Sequence, residues 1–194
     1  MLKIDKRLNI ALEVQRENEP SVYIHAVPVD KMVYEANYRL ITRTAITMYG
    51  DGMAPGACCR VAMLALRATA KEMDGAGSGD VYRRSAESLI QEIWRLSNVL
   101  MPGLKGWETV PFHEAIQNNT LDDEQISEVQ NILVYFTVLS WFHRESERKD
   151  IYEMLKIFGA QIVSSNVTEY SSSLPISTRP VTTGATAPAS SIAH

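Results

Sequence analysis

The hydrophobic pattern of the chain is centred on one long uncharged run. Residues 132–142 (ILVYFTVLSWF) carry no charge, and acidic side chains occupy positions 122–124, shortly after Thr120. Thr120 is a typical N-cap residue, and negative charge in a first turn suits the dipole of a helix. Because the run is apolar on nearly every side, the pattern predicts a central helix from Thr120 to Phe142 that other helices surround.

The first 28 residues show a different period. Apolar and polar side chains alternate over 8–15 and again over 22–27, and residues 17–20 between them have a typical turn composition. A period of two indicates half-buried strands, so this segment is predicted to be a β-hairpin with His25 on its polar face. A lone hairpin is barely stable, and its apolar face is therefore expected to pack on a helix or on a partner chain.

The spacing of apolar residues predicts four more helices. Their expected ranges are 30–48, 57–73, 80–101 and 150–158. Asp30 and Asp80 are the predicted N-caps of the first and third, and Gly159 ends the last. Trp107 is predicted to lie in an irregular loop before the central helix. The predicted fold is thus mainly α, a bundle of about five helices around a central apolar helix, with an N-terminal β-hairpin and a disordered C-terminal tail.

The composition changes after Ser164. Between Ser171 and His194 the only fixed charge is Arg179, and Ser, Thr, Pro, Gly and Ala fill most positions. Such a segment cannot bury enough apolar surface to offset the entropy of ordering it. The predicted organisation is therefore an N-terminal hairpin over 1–28, a helical body over 29–163, and a flexible tail over 164–194.

Charge and composition narrow the class of protein. The chain has 194 residues and a net charge of −4, which argues against a nucleic-acid-binding protein because phosphate contacts need a basic face. We see neither a secretory signal nor an uncharged run long enough to cross a bilayer. The two cysteines, Cys58 and Cys59, are adjacent and form a poor disulfide pair, which indicates free thiols in a reducing compartment. A cytoplasmic protein without membrane contact is expected.

The candidate chemical motifs are weak. The glycines of loop 50–56 lack phosphate-loop spacing, and the loop follows a helix rather than a strand. Cys58 lies near a helix N-terminus, which would activate a thiol, but its apolar neighbours favour a structural cysteine. The four histidines do not show metal-ligand spacing, and the carboxylate pairs lie in solvated runs. We therefore predict no catalytic, cofactor-binding or metal-binding residue, and no enzymatic activity.

Trp107 is the candidate with a binding role. It stands between two Gly-rich breaks, and an exposed tryptophan in a loop is a typical anchor for a partner. The alternative is that Trp107 closes one end of the bundle.

A short motif at the end of the helical body points to a family. Residues 169–178 (EYSSSLPIST) resemble the segment that closes the folded part of tail assembly chaperones of long-tailed, lambda-like bacteriophages. The layout is also similar, with a short β start, a helical body, a charged break at 143–149 before the last helix, and a Thr/Ser/Pro/Ala-rich end. The N-terminal hairpin and the Gly-rich loop at 75–79 have no counterpart that we can assign in the lambda protein.

The resemblance implies a function and partners. A member of this family binds the tape-measure protein in the host cytoplasm, keeps this long helical chain soluble until tail tube subunits assemble around it, and is absent from the mature virion. Family members have no cofactor and no catalytic activity, and a frameshifted longer form recruits the tube subunits. We expect Leu174, Pro175 and Ile176 to contact the partner together with Trp107. A homo-oligomer is compatible with the sequence.

Two other function classes remain open. A virion structural protein, such as a connector, a tail terminator or a minor tail protein, could use the hairpin to extend a neighbour's sheet. An enzyme of unrecognised type would need an apolar pocket with convergent polar groups, and no cluster in the sequence supports one.

Overall fold

The computed structural model describes residues 9–17, 19–50, 54–75, 79–140 and 148–175. In these ranges the helices and strands follow one another as β1 Asn9–Arg16, β2 Glu19–Ala26, α1 Lys31–Gly50, α2 Pro55–Gly75, α3 Val81–Arg95, β3 Ser97–Gly103, β4 Gly106–Pro111, α4 Phe112–Gln117, α5 Asp123–Ser140, α6 Arg148–Ile157, β5 Ala160–Val163 and α7 Val167–Ser173.

The strands form one antiparallel sheet in the order β4-β3-β2-β1-β5. The N-terminal hairpin is confirmed as β1 and β2, and it occupies the middle of this sheet rather than standing apart. The predicted helical bundle with an added hairpin is therefore wrong, because the described residues form an α+β fold with five strands. The hairpin gains the stability that a two-stranded ribbon lacks by pairing on both sides.

The largest error in the prediction lies after α3. The third helix was expected to run to residue 101, but it ends at Arg95, and residues 97–103 form β3. Val99 and Leu100 are both fully buried although they point to opposite faces. Because both faces of the sheet are covered here, the period of two is masked and the run reads equally well as a helix. The irregular loop predicted around Trp107 is instead the β3–β4 hairpin, and Gly106 beside its turn has φ +126°.

The two faces of the sheet carry different layers. One face presents the side chains of Ile10, Leu12, Val22, Ile24 and Val99 to the large apolar core that the helices share. The opposite face, which we call the outer face, carries Ala11, Tyr23 and Leu100, and it packs against α7. The helices that share the large core therefore lie on one side of the sheet, and α7 lies on the other.

The central apolar helix is confirmed as α5. Its residues 131–139 are all buried, among them Tyr135 with no exposed surface. Its start differs from the prediction, because Thr120 lies outside the helix and Asp122 caps it. The Gln125 backbone N–H donates to Asp122 Oδ1 (2.8 Å), and the Asp122 backbone N–H donates to Gln125 Oε1 (3.1 Å), which is a reciprocal capping box.

The predicted stop at Gly159 is confirmed, since its φ of +72° is a conformation that favours glycine. The chain then enters β5, which pairs with β1, and continues into α7. The flexible tail was predicted to begin at residue 164, but residues 164–175 form α7 and its flanks. An N-terminal capping box between Asn166 and Glu169 starts this short helix. Residues 176–194 of the predicted tail lie outside the described residues.

Candidate functional site

Trp107 lies in strand β4 rather than in a loop, and it is partly buried. Its register opposite Pro102 puts it on the outer face. There its ring meets that of Tyr23 edge-on, with 5.3 Å between centroids, and its Nε1–H donates a hydrogen bond to the carbonyl of Pro175 at 2.8 Å. Trp107 therefore contacts its own chain.

Leu174 and Pro175 come to the same place. Leu174 is the C-cap of α7 and packs against the apolar cluster of the outer face, and Pro175 supplies the carbonyl that Trp107 binds. Ile176, the third tail residue predicted to bind a partner, lies outside the described residues. The structure thus brings together three of the four predicted binding residues, in a contact within the chain.

Residues 164–175 cross the outer face from the β5 side to β4, and we call this segment the strap. The strap is held by four side-chain hydrogen bonds: Asn9 Nδ2 to Ser165 O (2.8 Å), His25 Nε2 to Ser165 O (3.0 Å), Gln161 Nε2 to Tyr170 Oη (2.9 Å) and Trp107 Nε1 to Pro175 O. Tyr170 is the buried residue of α7, and its ring lies 6.3 Å from that of Tyr23. Sequence reasoning missed the strap because its serines and threonines match the composition of a flexible tail.

His25 was predicted on a polar, solvated face, but it has no exposed surface. The outer face is buried at this point because the strap covers it. Burial lowers the pKa of His25 from its ordinary value, and hydrogen bonds with the Ser165 carbonyl and with the backbone of His25 itself oppose this shift only in part.

A second surface lies on the helices. Helix α1 buries Leu40, Ile41 and Met48, and it exposes Tyr38, Ile46 and Tyr49 to the extent of 50%, 56% and 43%. Tyr38 and Ile46 lie on the outward side of the helix, and Tyr49 keeps part of its ring exposed while its hydroxyl reaches the buried Tyr135. We call these three residues the α1 stripe. Sequence reasoning missed the α1 stripe, because the apolar residues that face the core already account for the helical period.

A shallow groove of about 480 Å³ runs beside the α1 stripe, between α1 and α2. Its lining is mostly apolar and includes Tyr38, Ile46 and Met73, with Arg39 and Arg43 at the edge. Arg43 forms an exposed ion pair with Glu72 at 3.4 Å. A groove of this kind can accept the apolar side of an amphipathic helix, whose polar side then meets the arginines.

Two further clefts are more polar. A cleft of about 1120 Å³ lies between the β1–β2 turn and the start of α5, and its rim includes Glu17, Glu19 and Glu128. Another, of about 690 Å³, is bounded by α1, α3 and α4. No group of three or more His, Cys, Asp or Glu side chains among the described residues is arranged to hold a metal ion.

Both cysteines are buried and neither forms a disulfide bond, as a structural assignment of Cys58 predicts. The Cys58 thiol donates to the carbonyl of Met48 at 3.4 Å. Burial raises the pKa of Cys58. The pKa of Cys59 is raised to about 12, mainly by burial and in smaller part by the charge of Cys58. A raised thiol pKa leaves little thiolate near neutral pH, which disfavours nucleophilic chemistry at either residue.

No protein-family model, curated protein or solved structure matches this chain. Among the described residues, no helix combines the length and the apolarity that crossing a membrane requires.

Proposed function

We propose that this chain is a tail assembly chaperone of a long-tailed bacteriophage. It binds the tape-measure protein in the host cytoplasm, keeps that chain soluble while tube subunits assemble, and leaves before the virion is complete. The role is non-catalytic and needs no cofactor. The observation that carries the proposal is the α1 stripe with its groove, which suits one side of a long helical partner.

The size of the stripe fits a contact that must later be released. Complete burial of a large apolar side chain contributes roughly 1.5–3 kcal/mol, so covering three half-exposed side chains contributes only a few kcal/mol. A contact of this strength is weak by itself. Several chaperone molecules along one extended partner would cover much apolar surface, and each could be displaced singly by an arriving tube subunit.

The resemblance of residues 169–178 to the end of the folded part of such chaperones supports the same function. In the strap, Leu174 and Pro175 face the chain's own sheet. A contact between these two residues and the partner therefore requires the strap to leave the sheet, whereas the α1 stripe is already exposed.

Co-expression with the tape-measure protein of the same phage tests the proposal. The unmodified chain is expected to keep the tape-measure protein in the soluble fraction and to co-purify with it. Ile46→Asp adds a charge to the α1 stripe and is expected to lower the recovered complex about tenfold or more, because apolar burial is lost and a carboxylate must be desolvated.

Leu104→Asp is the matched control. Leu104 is 73% exposed, but it lies at the β3–β4 turn, away from α1. It is expected to leave recovery of the complex unchanged. Equal losses from both substitutions, or no effect of Ile46→Asp, would contradict the assignment of the α1 stripe, and failure of the unmodified chain to keep its partner soluble would contradict the function.

A virion structural protein is the alternative function, and one observation favours it. Strand β4 lies at one edge of the sheet, so the backbone groups along that edge can pair with a strand of a neighbouring subunit. This alternative predicts that the chain stays in the finished particle and forms a stable assembly with its neighbours.

A further inference from the structure

Two of the four side-chain hydrogen bonds that hold the strap converge on one carbonyl. Ser165 O accepts hydrogen bonds from Asn9 Nδ2 at 2.8 Å and from His25 Nε2 at 3.0 Å. A carbonyl oxygen can only accept, so in this contact His25 carries its proton on Nε2. This fixes the tautomer of the neutral ring.

The other nitrogen of the ring is left without a partner. His25 Nδ1 is buried and has no hydrogen-bond partner among the described residues. In the neutral ring Nδ1 carries only a lone pair, and an unpaired buried acceptor is tolerable. A second proton would put a charge on a fully buried ring, where hydrogen bonds to the Ser165 carbonyl and to the backbone of His25 itself favour the charge less than burial disfavours it.

The side chains that pack on the ring carry no negative charge. From β1 the ring faces Ala11, from β3 it faces Asn98, and from α7 it meets the ring of Tyr170 at a centroid distance of 5.8 Å. Asn9 and the Ser165 carbonyl complete the anchor, and Gln161 of β5 lies in the same row beyond Ala11. Two carboxylates lie further out: Glu13 of β1, in the adjacent row opposite Tyr23, and the exposed Glu169 of α7, which accepts from the backbone N–H of Asn166 beside Ser165.

We propose that the strap is a proton-sensitive cover of the outer face, and that protonation of His25 releases it. Release relieves the buried charge because it opens the ring to water. It also breaks the contact of Trp107 with Pro175 and uncovers the apolar surface of Tyr23, Leu100 and Trp107.

The direction of the pH dependence follows from the burial. The docked strap lowers the pKa of His25 below its ordinary value of 6.5, so the released state binds the proton more tightly. Docking is therefore at full strength above that pH and weakens as the pH falls below it. The docking constant is expected to fall by up to about tenfold per pH unit until the pKa of the docked ring is reached.

Two signals in a nuclear magnetic resonance titration of the full chain test this directly. The imidazole resonances of His25 report its protonation, and the indole N–H of Trp107, which is bonded to Pro175 in the docked strap, reports release. In the unmodified chain both signals are expected to shift with one common midpoint below pH 6.5. Tyr170→Ala removes the buried side chain of α7 and gives the indole frequency of the released strap at pH 7.5.

His25→Gln supplies a side chain that cannot take up a proton, and its indole signal is expected to stay at the docked position from pH 7.5 to pH 5. His113→Gln is the control, because His113 is an exposed histidine on α4, and it should titrate like the unmodified chain. The proposal is overturned if the indole shift persists in H25Q with the same midpoint, or if His25 becomes protonated while the Trp107 signal stays fixed.

If the strap of H25Q is already released at pH 7.5, the titration of the unmodified chain tests the proposal. Coincident midpoints for the imidazole and indole signals support the proposal, and separate midpoints overturn it. Global unfolding before His25 titrates also overturns it. The inference does not rest on the proposed function, since none of these outcomes requires a partner.

Discussion

At the scale of single residues, Asn131 shows how one polar side chain joins two helices of the core. It lies on α5 and is 7% exposed. Its Oδ1 accepts from the backbone N–H of Met63 on α2 at 2.9 Å, and its Nδ2 donates to the carbonyl of Ser127 at 2.8 Å. Both ends of the amide are thus satisfied in an apolar environment, which is the condition for burying it without penalty.

Asn131→Ala is expected to lower the free energy of unfolding by roughly 0.5–1.5 kcal/mol, because the buried hydrogen bond that joins α5 to α2 is lost. Urea denaturation followed by circular dichroism measures the loss. Glu128→Ala, an exposed position one turn earlier on α5, serves as the control and should change the same quantity by less than about 0.5 kcal/mol. Equal effects at the two positions would show that the Asn131 contacts contribute little.

At the scale of helices and strands, the N-terminus of α3 is capped by a residue of the preceding helix, α2. Asp80 precedes α3 and was the predicted cap, but it makes no side-chain capping bond. Asp74, near the end of α2, accepts from the backbone N–H groups of Tyr82 (2.8 Å) and Arg83 (2.9 Å). Burial opposes ionisation of Asp74, but these bonds and the Arg83 guanidinium outweigh it, so the pKa of Asp74 is lowered.

This cap makes a prediction about acid stability. A carboxyl whose pKa is lower in the folded state contributes stability above its ordinary pKa near 3.8, and that contribution is lost as the pH falls through the lowered value. Asp74→Asn should therefore lower the melting temperature at pH 6, and the gap from the unmodified chain should narrow toward pH 3. Glu72→Gln, an exposed carboxyl nearby on α2, should open no such gap, and a gap independent of pH would contradict the assignment.

The comparison of sequence and structure is informative at the same scale. The α5 helix, the β1–β2 hairpin and the Gly159 stop were predictable, because each has a strong local signal: an unbroken apolar run, a period of two, and a glycine after a helix. β3 was not, because Val99 and Leu100 are buried on opposite faces and hide the period. The four residues of β5 and the seven of α7 are too short for any period to stand out.

The candidate site was predictable only in part. The sequence pointed to Trp107, Leu174 and Pro175, and the structure joins them, but on the chain's own sheet. That pairing spans 68 positions, and no local pattern records so distant a contact. The α1 stripe was missed because exposure depends on which side of α1 the other helices cover. His25 was misplaced because a neighbouring segment, rather than its own strand, buries it.

At the scale of the whole molecule, three layers follow one another: the strap, the sheet and the helices. The sheet separates the strap from the helices, so the exposed α1 stripe and the covered outer face are distinct surfaces. In the proposed function the helical layer binds the partner, and the strap covers the far side of the sheet. Two separate surfaces suit a protein that binds one component while another arrives.

The most direct test of this account is to count copies of the chain by quantitative mass spectrometry at two stages of phage assembly. A chaperone that binds through a weak, releasable surface should be present in the soluble complex with the tape-measure protein and absent from purified finished particles. A fixed number of copies in finished particles would contradict the account and favour the structural alternative.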